Sequence, residues 1–291
     1  MGGASNSGAV VKIGEVGMAT YFTSIGSAQG LNPTRENPCR LIDFARLVLR
    51  DTTSYSGRTG EREVLVVLFG GRCTIEAGGR TFENVGRRAT PFAGKPHAVY
   101  LPSNTTYTIT AHGNLDAGLC SAPSDLRAEP YLITPEQVTS TIVGAASFSR
   151  ELRNILTSSD QPDLPARRLI VGETFVPGGN WSTYPPHKHE VDDLPREAFH
   201  EELYYFRTDQ PEGFGHTRHY SPERGYDTTY TIRDSTILMI PHGYHTTCSA
   251  PGYTNYFLWM LAGDHRTQAV AFDPDHAWIQ KAVALLRQVT V

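Results

Sequence analysis

Short apolar or alternating runs, cut by Gly, Pro and Asn, dominate this chain from end to end, the pattern of strands that bury one or both faces. They predict strands over 62–69, 71–76, 98–101 and 107–110 in the first half. In the second half they predict strands over 169–176, 202–207, 213–220, 226–232, 236–240 and 256–261. Gly70-Gly71 and Gly78-Gly79 supply turn signals between the early runs. Two stretches carry a helical period instead. Phe148, Leu152, Ile155 and Leu156 are spaced as one helix face, and 161–165, with two prolines, breaks that run and reads as a linker. Asp273-Pro274-Asp275 caps a run over 277–288 with Trp278, Ile279, Ala282, Leu285 and Leu286 on one stripe, a helix expected to pack against the strands. Many short strands and few helices make the chain all-β, of the barrel or sandwich kind.

A length of 291 residues allows one large or two medium domains, and 39% hydrophobic residues suffice for packed cores. Net charge is −4 and no basic run occurs, so nucleic acid is not an expected partner. No apolar stretch approaches the ~20 residues that span a bilayer, and Met1 to Gly8 lacks the charged and apolar regions of a signal peptide, so no membrane association is expected. That glycine-rich start reads as flexible. Cys39, Cys73, Cys120 and Cys248 are dispersed without a CxxC pair, which predicts reduced thiols and a cytoplasmic location.

Chemistry concentrates in Pro185-Pro186-His187-Lys188-His189, Glu202 and the turn Pro241-His242-Gly243-Tyr244-His245. On a strand, His187 and His189 project from one face, with Lys188 on the other. Glu202 opens the 202–207 run, which can carry a carboxylate toward the same point, with Tyr204 on the same face. His245 follows a buried strand and a Pro-x-Gly bend that can present a third imidazole. An isolated HxH is more often surface decoration than a site; here three separate segments contribute to one donor set. Three imidazoles and a carboxylate suit one divalent transition metal, zinc first, with manganese, iron or nickel as the other choices, and suit calcium poorly.

A glycine-rich lead-in, HxH, Glu and a later Pro-x-Gly turn before His resemble the two motifs of cupins. The spacing departs from the usual pattern. Glu202 stands well beyond His189, across an acidic insertion over 190–201 with Asp192, Asp193 and Glu197, and the Pro-x-Gly-x-His turn is one residue short. The stretch Tyr100-Leu101-Pro102-Ser103-Asn104-Thr105-Thr106-Tyr107 looks like the same turn in the first half, with Asn104 for Gly and Tyr107 for the ligand His. Asn tolerates the left-handed conformation Gly would adopt. Only His97 and His112 precede residue 187, with no HxH. The resemblance implies a bicupin, two antiparallel jelly-roll barrels with a few peripheral helices: a flexible N-terminus over 1–18, a metal-free N-terminal cupin over 19–150 and a metal-binding C-terminal cupin over 151–291.

Pro185 to His189, Asp192-Asp193-Leu194-Pro195, Glu201-Glu202-Leu203-Tyr204-Tyr205, Pro241 to His245, Val85-Gly86-Arg87-Arg88 and Ala98 to Pro102 together are similar to the 5-deoxy-glucuronate isomerases of myo-inositol catabolism, relatives of the 4-deoxy-5-ketouronate isomerases. That resemblance implies His187, His189, Glu202 and His245 as metal ligands and a small deoxy-uronate substrate. It also implies an aldose to ketose shift that turns 5-deoxy-glucuronate into 5-dehydro-2-deoxy-gluconate. A Lewis-acidic metal would stabilise an enediolate while a base moves the proton, with Tyr204, His219 or water as candidates, or a hydride shift would need no base. Arg218 is the first candidate for the substrate carboxylate, since Arg binds carboxylates bidentately, with a surface ion pair as its plain alternative. Tyr244 is a candidate for the mouth of the site. His200, His216, His242, His265 and His276 are expected in structural or surface roles. A homo-oligomer is possible on this reading. Three other functions share the scaffold: a metal-dependent dioxygenase, a sugar-binding sensor without catalysis, and a structural storage bicupin.

Overall fold

A computed structural model describes residues 20–289, so the N-terminus expected to be flexible over 1–18 lies outside the described residues. The strands Ala98–Leu101, Leu169–Val176, Tyr226–Ile232 and Thr236–Ile240 form with the bounds their apolar runs predict. Arg62–Gly70, Glu201–Thr208, Gly215–Ser221 and Asn255–Ala262 shift by a residue or two at their ends. Pairing is antiparallel throughout, in four sheets.

The sheets stack as four layers. In the second half a five-stranded sheet, carrying Trp181–Lys188, Gly215–Ser221 and Tyr244–Ser249, faces a seven-stranded sheet that contains Leu169–Val176, Glu201–Thr208 and Asn255–Ala262. The back of the seven-stranded sheet contributes Val171, Leu203, Tyr205, Tyr256, Leu258 and Met260 to a core shared with Phe44, Leu65, Val67 and Phe69 of the first half's six-stranded sheet. That sheet in turn uses Leu47, Val64, Val66 and Leu68 against Ile75, Val85 and Ile109 of a four-stranded sheet. A strand in either middle layer meets protein on both faces. For that reason Leu169–Val176 and Asn255–Ala262 are buried at every position, where a half-solvated strand would alternate.

Phe22–Ser24 and Thr139–Val143 close the two edges of the seven-stranded sheet. Covering both edges removes the unpaired backbone that invites wrong association. Between the layers Arg88 and Glu173 form a fully buried pair, Nη1 to Oε2 at 3.0 Å, and the Tyr256 hydroxyl donates to Glu173 Oε1 at 2.8 Å. Glu63 accepts the backbone N–H groups of Arg167, Arg168 and Leu169 at 2.7 to 2.9 Å, fixing the start of a strand in the other half. Asn104 adopts φ 59°, the left-handed conformation expected of it in place of glycine.

The helix expected from Phe148 to Leu156 is instead a short 3₁₀ turn, Ala146–Phe148, followed by the strand Arg150–Leu156. A bulge between Asn154 and Leu156 explains the misleading period, because it breaks the alternation and leaves both Ile155 and Leu156 buried. The C-terminal helix is present over Ile279–Val289. Two residues of its predicted stripe, Trp278 and Leu285, are 61% and 66% exposed and make no buried seam with the sheets.

Candidate metal centre

His187 sits in the strand Trp181–Lys188, in register with His245 of Tyr244–Ser249, so both imidazoles leave the same face of the five-stranded sheet. The ring centroids of His187 and His245 are 4.8 Å apart, those of His189 and His245 5.3 Å, and the potential ligand nitrogens of all three lie within 4.8 Å of one another. Glu202 reaches in from the facing sheet. Its Oε2 is 3.1 Å from His189 Nε2 and 3.2 Å from His245 Nε2.

The long spacing between His189 and Glu202 is a closed excursion. His200 N–H donates to the His189 carbonyl at 2.9 Å, and His189 Nδ1 donates to the His200 carbonyl at 2.7 Å, so the chain returns beside its departure point. Within the loop Glu197 Oε1 accepts the N–H groups of Glu190 and Val191, and Asp192 accepts that of Phe199. The acidic residues of the insertion therefore cap its own backbone. Glu190 Oε2 also accepts the Gly243 N–H at 3.0 Å, which ties the loop to the turn before His245. Gly243 has φ 88°, and a Cβ there would lie 2.3 Å from the Tyr226 hydroxyl. Only glycine fits that turn.

A carbonyl only accepts, so His189 Nδ1 carries its proton and Nε2 turns a lone pair toward the Glu202 carboxylate. His245 Nε2 is buried and has no partner in hydrogen-bond geometry. Lone pairs converging with a carboxylate in a buried place need a cation between them, and three nitrogens with one oxygen fit a divalent transition metal. Without one, a proton serves: burial lowers the His189 pKa, but the hydrogen bond and charge of Glu202 outweigh it and leave it raised. Burial would raise Glu202, yet His189 and His245 bring it down to about 2. Burial wins at His187 and His245, reinforced at His187 by the neighbouring imidazoles, and lowers both.

The cluster opens on a cavity between the two sheets. His187, His189, Glu202, Tyr204 and His200 line it, with Phe257, Trp259 and Leu261 from Asn255–Ala262 and Arg150, Leu152 and Asn154 from the strand mistaken for a helix. Tyr204 lies beside His245, ring centroids 5.6 Å apart. Burial and the Glu202 charge raise its pKa well above that of an ordinary phenol, so it stays protonated.

The other predicted residues lie elsewhere. Arg218 follows the opposite face of its strand, pairs with Asp227 through Nε at 2.8 Å, and stacks over Tyr220. Tyr244, one residue before His245, shares that outer face, stacks on Tyr220 and lines the same outer cleft as Arg218. His219 is level with His245 on the inner face, but it packs against Tyr21 and Tyr226, and its Nε2 donates to the His242 carbonyl at 2.7 Å. Burial lowers its pKa to about 3. It does not line the cavity. Two cavity residues escaped the sequence reading: Arg150, hidden in a segment with a helical period, and Trp259, whose apolar run gave no sign that its indole N–H faces a ligand space.

Residues 25–279 match the model of the KduI/IolB family. The chain belongs to the KduI/IolB family. Among its curated KduI/IolB relatives, the 5-deoxy-glucuronate isomerase of Geobacillus kaustophilus is 35% identical over 248 residues, 85% of this chain and 88% of that protein. The 5-deoxy-glucuronate isomerase of Bacillus subtilis strain 168 is 36% identical over 247 residues, covering 84% and 90%. A crystal structure of an IolB-like protein from Salmonella typhimurium LT2 superposes with a TM-score of 0.83 at 29% identity, over 90% of this chain and all of that one. Bacillus subtilis oxalate decarboxylase, at TM-score 0.62 and 12% identity over 94% of this chain and 86% of its own, shares the bicupin fold alone. Among the described residues of this KduI/IolB chain no helix is long and apolar enough to cross a membrane.

Proposed function

We propose that this protein is a metal-dependent aldose-ketose isomerase that converts 5-deoxy-glucuronate to 5-dehydro-2-deoxy-gluconate in myo-inositol degradation. The observation that carries the reading is the convergence of His187, His189, His245 and Glu202 on the wall of one cavity, in a chain whose curated relatives bear that activity. His187, His189, Glu202 and His245 are the proposed ligands, and zinc is the first candidate for the ion. A bound divalent metal would supply Lewis acidity at the C1 carbonyl and C2 hydroxyl.

The chain's own residues do the rest. Tyr204 keeps its proton, so its hydroxyl donates a hydrogen bond toward the substrate's reacting oxygens and does not remove the C2 hydrogen. Leu152, Phe257 and Leu261 give the cavity apolar walls that limit water around the substrate. The net change moves hydrogen from C2 to C1: the aldehyde becomes a primary alcohol and the C2 alcohol a ketone. The division into a metal-free cupin over 19–150 and a metal-binding cupin over 151–291 belongs to the same proposal, as does a cytoplasmic location.

The test is to incubate metal-analysed protein with 5-deoxy-glucuronate and follow the C1 aldehyde and new ketone by NMR, with His187→Ala as control. Aldehyde loss matched by ketone growth, absent in the variant, supports the reading. No turnover by fully metallated protein sinks it.

A further inference from the structure

Arg150 is the one arginine on the cavity wall, and among the described residues no carboxylate lies within ion-pair distance of it. Its neighbours are treated otherwise: Arg88 faces Glu173, Arg153 faces Glu151 and Arg218 faces Asp227. Arg150 Nη1 donates to the Phe148 carbonyl at 3.2 Å. The Gly144 backbone closes over it so tightly that a Cβ there would lie 2.8 Å from Nη1. The guanidinium is thus held in place by main chain and left without a counter-charge. Burial lowers its pKa, though a guanidinium keeps its proton in proteins. A recessed cation without an anion is costly unless something brings the anion.

Strand register aims Arg150 at the metal cluster. Leu152 pairs with Thr174, Thr174 with Phe257, and Phe257 with Phe206, and alternation puts Arg150, Leu152 and Asn154 on the face that carries Tyr204 and Glu202. Three strand spacings separate it from Glu202, about 14 Å of sheet. The long Arg side chain and a six-carbon substrate together bridge that gap, and the Arg150 charge is felt at both His187 and Tyr204.

A second donor waits in the same cavity. Trp259 is 6% exposed and its Nε1–H has no partner. Its ring lies against Gly172, where a Cβ would approach Trp259 Cζ2 to 2.1 Å, so the indole plane is fixed by the absence of a side chain there. Indole can only donate, and a buried donor with nothing to bond is satisfied by an acceptor that arrives with the ligand.

We propose that Arg150, with Trp259 Nε1–H as second donor, anchors the carboxylate of an acyclic sugar acid whose opposite end lies at the His187, His189, His245 and Glu202 cluster. This makes Arg150 the residue that separates uronates from neutral aldoses, and it rests on the isomerase reading only for the name of the sugar acid. The anchor moves from Arg218, which spends its fork on Asp227 in the outer cleft.

Calorimetric titration of the metal-loaded protein with gluconate and glucitol tests it, since the two share a hydroxyl array and differ in the carboxylate. Arg150→Met should weaken gluconate about 10- to 100-fold, the worth of a charge-assisted hydrogen bond to a buried ion. Arg150→Lys should recover part of the loss, Trp259→Phe should weaken gluconate severalfold, and glucitol should bind all four proteins alike. Matching thermal melts show that each variant is folded, and Arg150→Lys and Trp259→Phe carry the test should Arg150→Met fail to fold. Unchanged gluconate affinity in folded Arg150→Met, equal weakening of gluconate and glucitol, or no gluconate binding by the wild-type protein would overturn the anchor. Turnover of 5-deoxy-glucuronate is scored separately. Its absence beside Arg150-dependent gluconate binding sinks the isomerase reading and leaves the anchor; turnover with an unchanged KM in Arg150→Met does the reverse.

Discussion

His189 donates its Nδ1–H to the main-chain carbonyl of His200 at 2.7 Å, and that bond decides which nitrogen is free to bind a metal. Since Nε2 then holds a proton against Glu202 in the metal-free protein, metal and proton compete for one place. Metal loading should release protons, and affinity should rise as pH increases through neutrality, where a raised His189 pKa puts the competition. Competition titrations with a chelator at pH 6.5 and 8 check this. A pH-independent affinity would contradict it. His189→Gln should lower affinity at least about 10-fold.

His219 gives the stability of the protein a second pH dependence, away from the cluster. Its folded pKa of about 3 lies below the ordinary 6.5, so the unfolded chain binds a proton that the folded chain refuses. The stability is fully present above 6.5 and is lost as pH falls toward 3. Urea midpoints at pH 7.5, 5.5 and 4.5 should fall in that order, and His219→Gln should flatten part of the slope. The same slope in the variant would show that other groups carry it.

Arg88 and Glu173 bind the two halves through a bidentate pair with no water access. Glu173→Gln or Arg88→Met leaves an ion buried alone, which costs about 3–5 kcal/mol. Denaturant unfolding should show that loss as an earlier single transition, and Arg88→Met with Glu173→Leu should recover part of it. A loss under about 1 kcal/mol would mean that water or a neighbour replaces the partner.

Gly243 tests the turn that delivers His245. Gly243→Ala combines a left-handed φ with a contact at 2.3 Å to the Tyr226 hydroxyl, and a strained position of this kind costs about 1–3 kcal/mol. The turn should shift, moving His245 away from Glu202, so bound metal per chain should drop while the far half keeps its near-UV signal. Full metal content in the variant would show that Tyr226 moves aside instead.

Much of this was legible along the chain because both middle sheets bury two faces, which turns their strands into unbroken apolar runs such as 169–176 and 236–240 bounded by Pro and Gly. The cluster was legible for another reason: HxH, a strand-borne Glu and a Pro-x-Gly bend are local patterns. What failed was non-local. The bulge after Asn154 disguised a strand as a helix and hid Arg150 with it. Alternation correctly put Arg218 and His219 on opposite faces, but it carries no information about which face of a four-layer stack looks onto a cavity.

The middle layer that carries Glu202 also presents Leu203 and Tyr205 to the first half, where Tyr205 stacks on Phe44 with ring centroids 4.9 Å apart. A methyl gained or lost at Phe44 therefore presses on the strand that delivers the carboxylate. Catalytic rate becomes a trait inherited by both halves: the one without histidine ligands can drift and tune the chemistry from behind, without a single change in the cavity.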